Sequence, residues 1–235
     1  MATTEHTTPQ ADASNNSDAS NNSDASNNSD ASNNSDTSNS PDTAPAAENS
    51  VKVWDPLVRL FHWSLVVAFS TAYISSEFSG DIHVIAGYTV TSLIVSRLVW
   101  GIIGTPYARF SQFVRSPKAV WHYLVALPAG KARRYLGHNP AGGAMIVALL
   151  IALSGTVILG MATLGAEEQA GPLAGSWIAT IDEHTLEEVH EFFANSTLLL
   201  VLLHLAGVLF SSLAHKENLV RSIIHGRKAS RDDDL

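Results

Sequence analysis

The chain has 235 residues, a formal charge of −8, 46% hydrophobic residues and no cysteine. The missing thiols exclude disulfides, thiolate zinc or iron–sulfur sites and covalent haem attachment through C-x-x-C-H, so any metal must be held by histidine or oxygen. The charge is confined to one segment: residues 1–50 carry eight acids and no Lys or Arg, while residues 51–235 balance 14 acids with 14 bases, leaving no basic footprint for nucleic acid.

Residues 1–50 contain four copies of ASNNSD at 13–36 and a degenerate fifth, TSNSPD. Their apolar content is too low to offset the entropy of ordering a chain, so a disordered acidic tail is expected. With neither a basic n-region nor an apolar h-region there, no cleavable signal peptide is expected, and the first apolar segment must serve as the membrane signal. Four such segments follow, near residues 57–76, 83–104, 142–162 and 189–213. Each reaches the roughly 20 residues a helix needs to cross about 30 Å of hydrocarbon. Pro56 suits a first helical turn, Gly104-Thr105-Pro106 stops the second segment, and Asn139-Pro140 opens the third. The expected architecture is an all-α membrane protein, a four-helix bundle over residues 51–228, closed by a polar tail at 229–235.

Orientation follows from the bases. The connections after the first and third segments contain no Lys or Arg, whereas residues 105–141 carry Arg109, Arg115, Lys118, Lys131, Arg133 and Arg134, and the C-terminus carries five more. Lys52, Arg59 and Arg97 fall on the same side. The positive-inside rule then puts both termini in the cytoplasm of a multi-pass protein of the bacterial inner membrane.

Against that topology the histidines sort by depth. His190 and His204 lie 14 residues apart in the fourth segment, which returns to within about 40° of one face and climbs about 21 Å. His62 is on the inner half of the first segment and His83 at the outer end of the second. Two level pairs result, His62 with His204 inside and His83 with His190 outside. Four imidazoles in two trans pairs suit two six-coordinate haems. Intramembrane histidines equally serve a proton relay or a transition-metal path.

WDPLVRLFHW, HVIAGYTVTSLIVSRLVWGIIG with YARF, RYLGHNPAGG, LEEVHEFFANSTLLLVLLHLAG and HKENLVRSIIHGRK occur in this order. Together they resemble the bacterial cytochrome b561 family, which is similar to the cytochrome b subunits of nickel–iron hydrogenases. The likeness spans about residues 51–228 and leaves the Asn/Ser tail aside. It implies two non-covalent b haems with His62, His83, His190 and His204 as axial ligands and none from the third helix. No residue is assigned a catalytic role. The short connection between His62 and His83 leaves little room for a site built from the outer loop.

His6, His122, His138, His184, His215 and His225 are expected to be non-ligands, because none makes a level pair. Gly87 and Gly207 either admit a flat macrocycle beside a ligand or let helices pack closely. Arg59, one turn before His62, is the arginine expected at a haem propionate, ahead of Arg109 and Arg134.

The expected function is transmembrane electron transfer between a membrane quinone and a periplasmic or subunit redox partner, either a c-type cytochrome or a hydrogenase or dehydrogenase subunit. The outer ends present Glu77, Asp81, Glu167, Glu168, Asp182, Glu183, Glu187 and Glu188 and no base, a field that favours a cationic partner and disfavours an anion such as superoxide. Positive-inside topology alone also yields acid-rich outer loops. The competing functions are a haem-free metal or proton transporter and a membrane-anchor subunit.

Overall fold

In the computed structural model, residues 50–229 are described; the expectations for the acidic tail, and for all but the first residue of the C-terminal one, lie outside them. Four helices are long and apolar enough to cross a membrane: α1 (Pro56–Ser75), α2 (Gly80–Ile103), α5 (Pro140–Glu167) and α6 (Glu183–Ala214). Between the second and third of these, α3 (Phe110–Phe113) and α4 (Pro117–Ala126) form the basic connection, and α7 (Leu219–His225) follows the last.

Each spanning helix begins where the sequence places a cap. Asp55 accepts from the Val58 amide at 2.8 Å ahead of Pro56, and Asn139 accepts from the Gly142 amide at 2.7 Å ahead of Pro140. Ser79 and Asp182 cap α2 and α6, which satisfies amide donors otherwise left open in the first turn. α5 and α6 extend beyond the expected segments because hydropathy registers only the part within hydrocarbon. Polar residues such as Glu183 to Glu188 continue the α6 helix on its Asp182 cap into the aqueous layer.

Packing is that of a protein dissolved in lipid. Leu60, Val67, Ile85, Ile102, Leu199 and Leu213 point outward and are exposed, while Ala68, Val90, Ile94 and Leu153 form the core cluster. Thr197 is fully buried, its hydroxyl donating to the Phe193 carbonyl at 2.8 Å and lying 3.3 Å from that of Thr156. Polar side chains in such an interior are tolerated when their bonds are closed. α1 lies along α2 and α5 along α6. The two hairpins meet mainly through α2 and α5, so α1 and α6, which carry His62 and His204, barely touch.

The ends of the domain are tied together. Strands β1 (Ser50–Lys52) and β2 (Arg227–Ala229) pair antiparallel, with Ser50 opposite Ala229 and Lys52 opposite Arg227. Ala229, expected to open a polar tail, thus belongs to the domain. Gly226 makes the junction possible. Its φ of 80° ends α7, its carbonyl accepts from Val53 and Trp54, and a Cβ there would fall 2.7 Å from the Trp54 oxygen.

Candidate functional site

His83 from α2 and His190 from α6 face each other with ring centroids 6.0 Å apart and planes at 88°. Neither ring is left to choose its rotamer. His83 Nδ1 donates to the Ala72 carbonyl at 2.8 Å, and His190 Nδ1 donates to the Thr156 carbonyl at 2.9 Å. A carbonyl only accepts, so both rings carry their proton on Nδ1 and keep Nε2 as the basic nitrogen. Ala72 is on α1 and Thr156 on α5. All four spanning helices therefore contribute to the outer level.

α5 contributes no histidine but builds the seat of one. At Gly160 a Cβ would stand 2.9 Å from His190 Cε1 and 3.2 Å from Nδ1, so the imidazole lies against bare backbone. Sequence reading missed Thr156 and Gly160. Their only signal is a position opposite His190 on the partner helix of the hairpin, invisible until the hairpin register is known.

His62 and His204 are close enough to feel each other's charge. The His62 ring stands edge-on to Trp63 with centroids 5.4 Å apart, and its Nδ1 is shut off from solvent without a hydrogen-bond partner. His83 and His190 thus stand face to face, and His62 and His204 lie within electrostatic reach of each other. Among the described residues there is no cluster of three or more His, Cys, Asp or Glu, whereas a metal ion held by protein alone ordinarily takes three or four side chains. Gly87 and Gly207 have no atom within 4 Å of a built Cβ. Neither glycine serves helix packing here.

The arginines divide. Arg59 donates through Nη2 to the Ile224 carbonyl, holding α1 to α7, while its Nε is buried and unpartnered. Arg109 Nε donates to the Gly104 carbonyl at 2.7 Å. Arg134 is bound to Glu217 and to the Ala229 carbonyl, and Lys228 reaches Glu217 at 3.3 Å and the Tyr135 carbonyl at 3.1 Å. Burial pushes the Glu217 carboxyl up, but its bonds to Arg134 and Lys228 outweigh that and hold it below the ordinary range. Asp55 is lowered in the same way: burial raises it, and bonds from Thr105 at 2.5 Å, the Val58 amide and Trp100 at 3.2 Å more than compensate.

His138, expected to be a bystander, is enclosed. The aromatic rings of Trp54 and Phe113 pack on it, each with a centroid 4.6 Å away, and its Nδ1 is closed to solvent without a partner. Burial, then the positive charges of Arg97 and Lys228, push its pKa down to about 3, so the ring is neutral. It also lies within electrostatic reach of His204. The basic connection folds back under the bundle through α3, which brings His138 to the inner histidines. Loop composition carries no trace of that return.

The profile of the prokaryotic cytochrome b561 family matches residues 53–226. The chain is also similar to the "Probable Ni/Fe-hydrogenase B-type cytochrome subunit" of Bradyrhizobium diazoefficiens, at 22% identity over 220 residues that cover 78% of this chain and 87% of the relative. No solved structure matches. With four spanning helices in hand and a family profile that covers all of them, the chain belongs to the prokaryotic cytochrome b561 family.

Proposed function

We propose that this protein moves electrons across the bacterial inner membrane by way of two non-covalently held b haems, one on His62 and His204 near the cytoplasmic face and one on His83 and His190 near the outer face. The outer pair carries the reading. His83 and His190 stand with ring centroids 6.0 Å apart. Two basic imidazole nitrogens brought together in this way would suit one haem iron between the rings. A b haem held by each histidine pair would supply one-electron transfer rather than oxygen or peroxide chemistry.

The chain's own residues orient and insulate. The Ala72 and Thr156 carbonyls fix the tautomer and plane of the outer rings and raise the basicity of Nε2, the usual work of partners behind a metal-bound histidine. Gly87 and Gly207 leave room beside the ligands. The apolar helices keep water from the path between the two levels.

The distribution of bases supports a cytoplasmic location for both termini. Electrons pass between a quinone in the bilayer and a redox partner that is a c-type cytochrome or an enzyme subunit. The likeness to a hydrogenase cytochrome subunit supports the second kind of partner. The bare-metal transporter reading is disfavoured by the grouping of the histidines in twos.

A dithionite-reduced minus oxidised spectrum of the purified protein, with haem measured per polypeptide, tests the proposal. Two b haems per chain are expected. None after haem-replete expression would overturn it, and cation flux in vesicles would then become the informative assay.

A further inference from the structure

The outer imidazoles have their Nδ1 bonds closed, while the inner end of the bundle gathers open donors. Arg59 Nε, His62 Nδ1, Arg97 Nη1 and His138 Nδ1 are all closed to solvent and without a hydrogen-bond partner. Arg97, on α2, is only 4% exposed. Its guanidinium lies 4.9 Å from the centre of the Phe110 ring and 6.0 Å from that of Phe113, the ring that also packs on His138. Asp55 is within electrostatic reach of Arg97, but its carboxylate accepts from the Val58 amide, Trp100 and Thr105. A buried guanidinium with an unmade bond is costly, and the cost falls when a carboxylate accepts it.

We propose that Arg97 and His138, joined from α1 by Arg59, receive the propionate carboxylates of the inner haem, so that the aromatic cage of Trp54, Phe110 and Phe113 positions two donors for an anionic group within reach of His204. The assignment rests on the two-haem reading. Arg97 supplies a fixed positive charge and a fork that fits a carboxylate. His138, neutral in its enclosure, supplies one further N–H donor. Positive charge at the propionates favours the reduced haem, so Arg97 sets the potential of the inner centre and His138 positions the carboxylate.

The test is a redox titration of the purified holoprotein, with resonance Raman of the propionate bending band. Arg97→Gln is expected to retain two haems and to shift one midpoint downward by a tenfold change in the reduction equilibrium, about 59 mV for one electron. The other midpoint stays, and the propionate band moves. Arg97→Lys recovers most of the potential. His138→Phe, which keeps the stacked ring and removes the donor, moves the band with little change in potential, and Arg115→Gln, on an exposed side chain, moves neither. If Arg97→Gln fails to assemble, Arg97→Lys and His138→Phe decide through the band. Unmoved potentials, or a lowered potential with an unmoved band, would overturn the contact while leaving the two haems standing. A wild-type protein without haem would overturn the parent reading instead.

Discussion

Gly160→Ala isolates the part of the outer level that α5 builds. The new methyl would meet His190 Cε1 at 2.9 Å and Nδ1 at 3.2 Å, against an optimum of about 3.5–4.0 Å for such contacts. The imidazole must therefore retreat by roughly 0.6 Å or more. It is tethered to the Thr156 carbonyl at 2.9 Å, and a retreat of that size stretches the bond to about 3.5 Å, past useful geometry. Loss of one such bond costs about 0.5–1.5 kcal/mol, and the accompanying strain about 1–3 kcal/mol. Disturbing a group behind a metal ligand typically lowers affinity about 10- to 100-fold, which corresponds to about 1.4–2.8 kcal/mol, so the packing and binding figures agree. The assay is haem content and retention against a competing apo-haemoprotein, followed in the reduced spectrum. One haem is expected to be lost or to bleed out, the other to stay. Wild-type retention of both haems with an unchanged spectrum would refute the claim that Gly160 and Thr156 seat a ligand.

His62→Ala and His83→Ala, made separately, should each remove one haem, with complementary spectral components missing; loss of both from either variant would contradict independent level pairs. Glu217→Gln should cost about 3 kcal/mol, since it breaks a buried ion pair, read as a lowered unfolding temperature in detergent. Because the folded Glu217 carboxyl is held below its ordinary value of 4.5, its contribution is fully present above that pH and disappears as pH falls through the folded value. Acid titration of stability should accordingly be steeper in the wild type than in Glu217→Gln, and parallel curves would count against the pair. Electron transfer to a cationic c-type cytochrome should slow as salt rises, because the outer ends are acidic; a rate indifferent to ionic strength would remove the electrostatic argument.

How much was legible beforehand depended on which force placed a residue. The four spans, and the start signals at Pro56 and Asn139-Pro140, follow from hydropathy and local helix-start preferences, which act within one or two helical turns. The pairing of His83 with His190 followed from depth alone, since the topology was read from bases and the histidines then fell level. Four features were not legible: the Ala72 and Thr156 carbonyls, the bare backbone at Gly160, the β1–β2 ribbon and the enclosure of His138. Each depends on register between segments distant in sequence, and a backbone carbonyl leaves no mark on residue type. Arg134 illustrates the converse. A topology-setting charge and a propionate ligand look identical in sequence, and only the fold shows Arg134 committed to Glu217.

The two levels are prepared by different means, and the difference follows from where each stands. Near the outer face the ligands lie on helices that pair closely, so the cheapest way to fix an imidazole is a carbonyl from the facing helix, and both outer rings use one. Such a carbonyl is already in a helix and accepts a second bond on its remaining lone pair without breaking the ladder. Near the inner face the polar groups that reach the site come from chain ends and the long connection. These groups satisfy themselves first through the ribbon and the Glu217 network, which anchors the cap independently of any cofactor. What remains open after that is a guanidinium on α2, the Nδ1 atoms of His62 and His138, and the Nε of Arg59. A buried guanidinium and buried imidazoles are not left unpartnered without cost, and the anionic edge of a haem is the group whose binding would remove it for Arg97, Arg59 and His138.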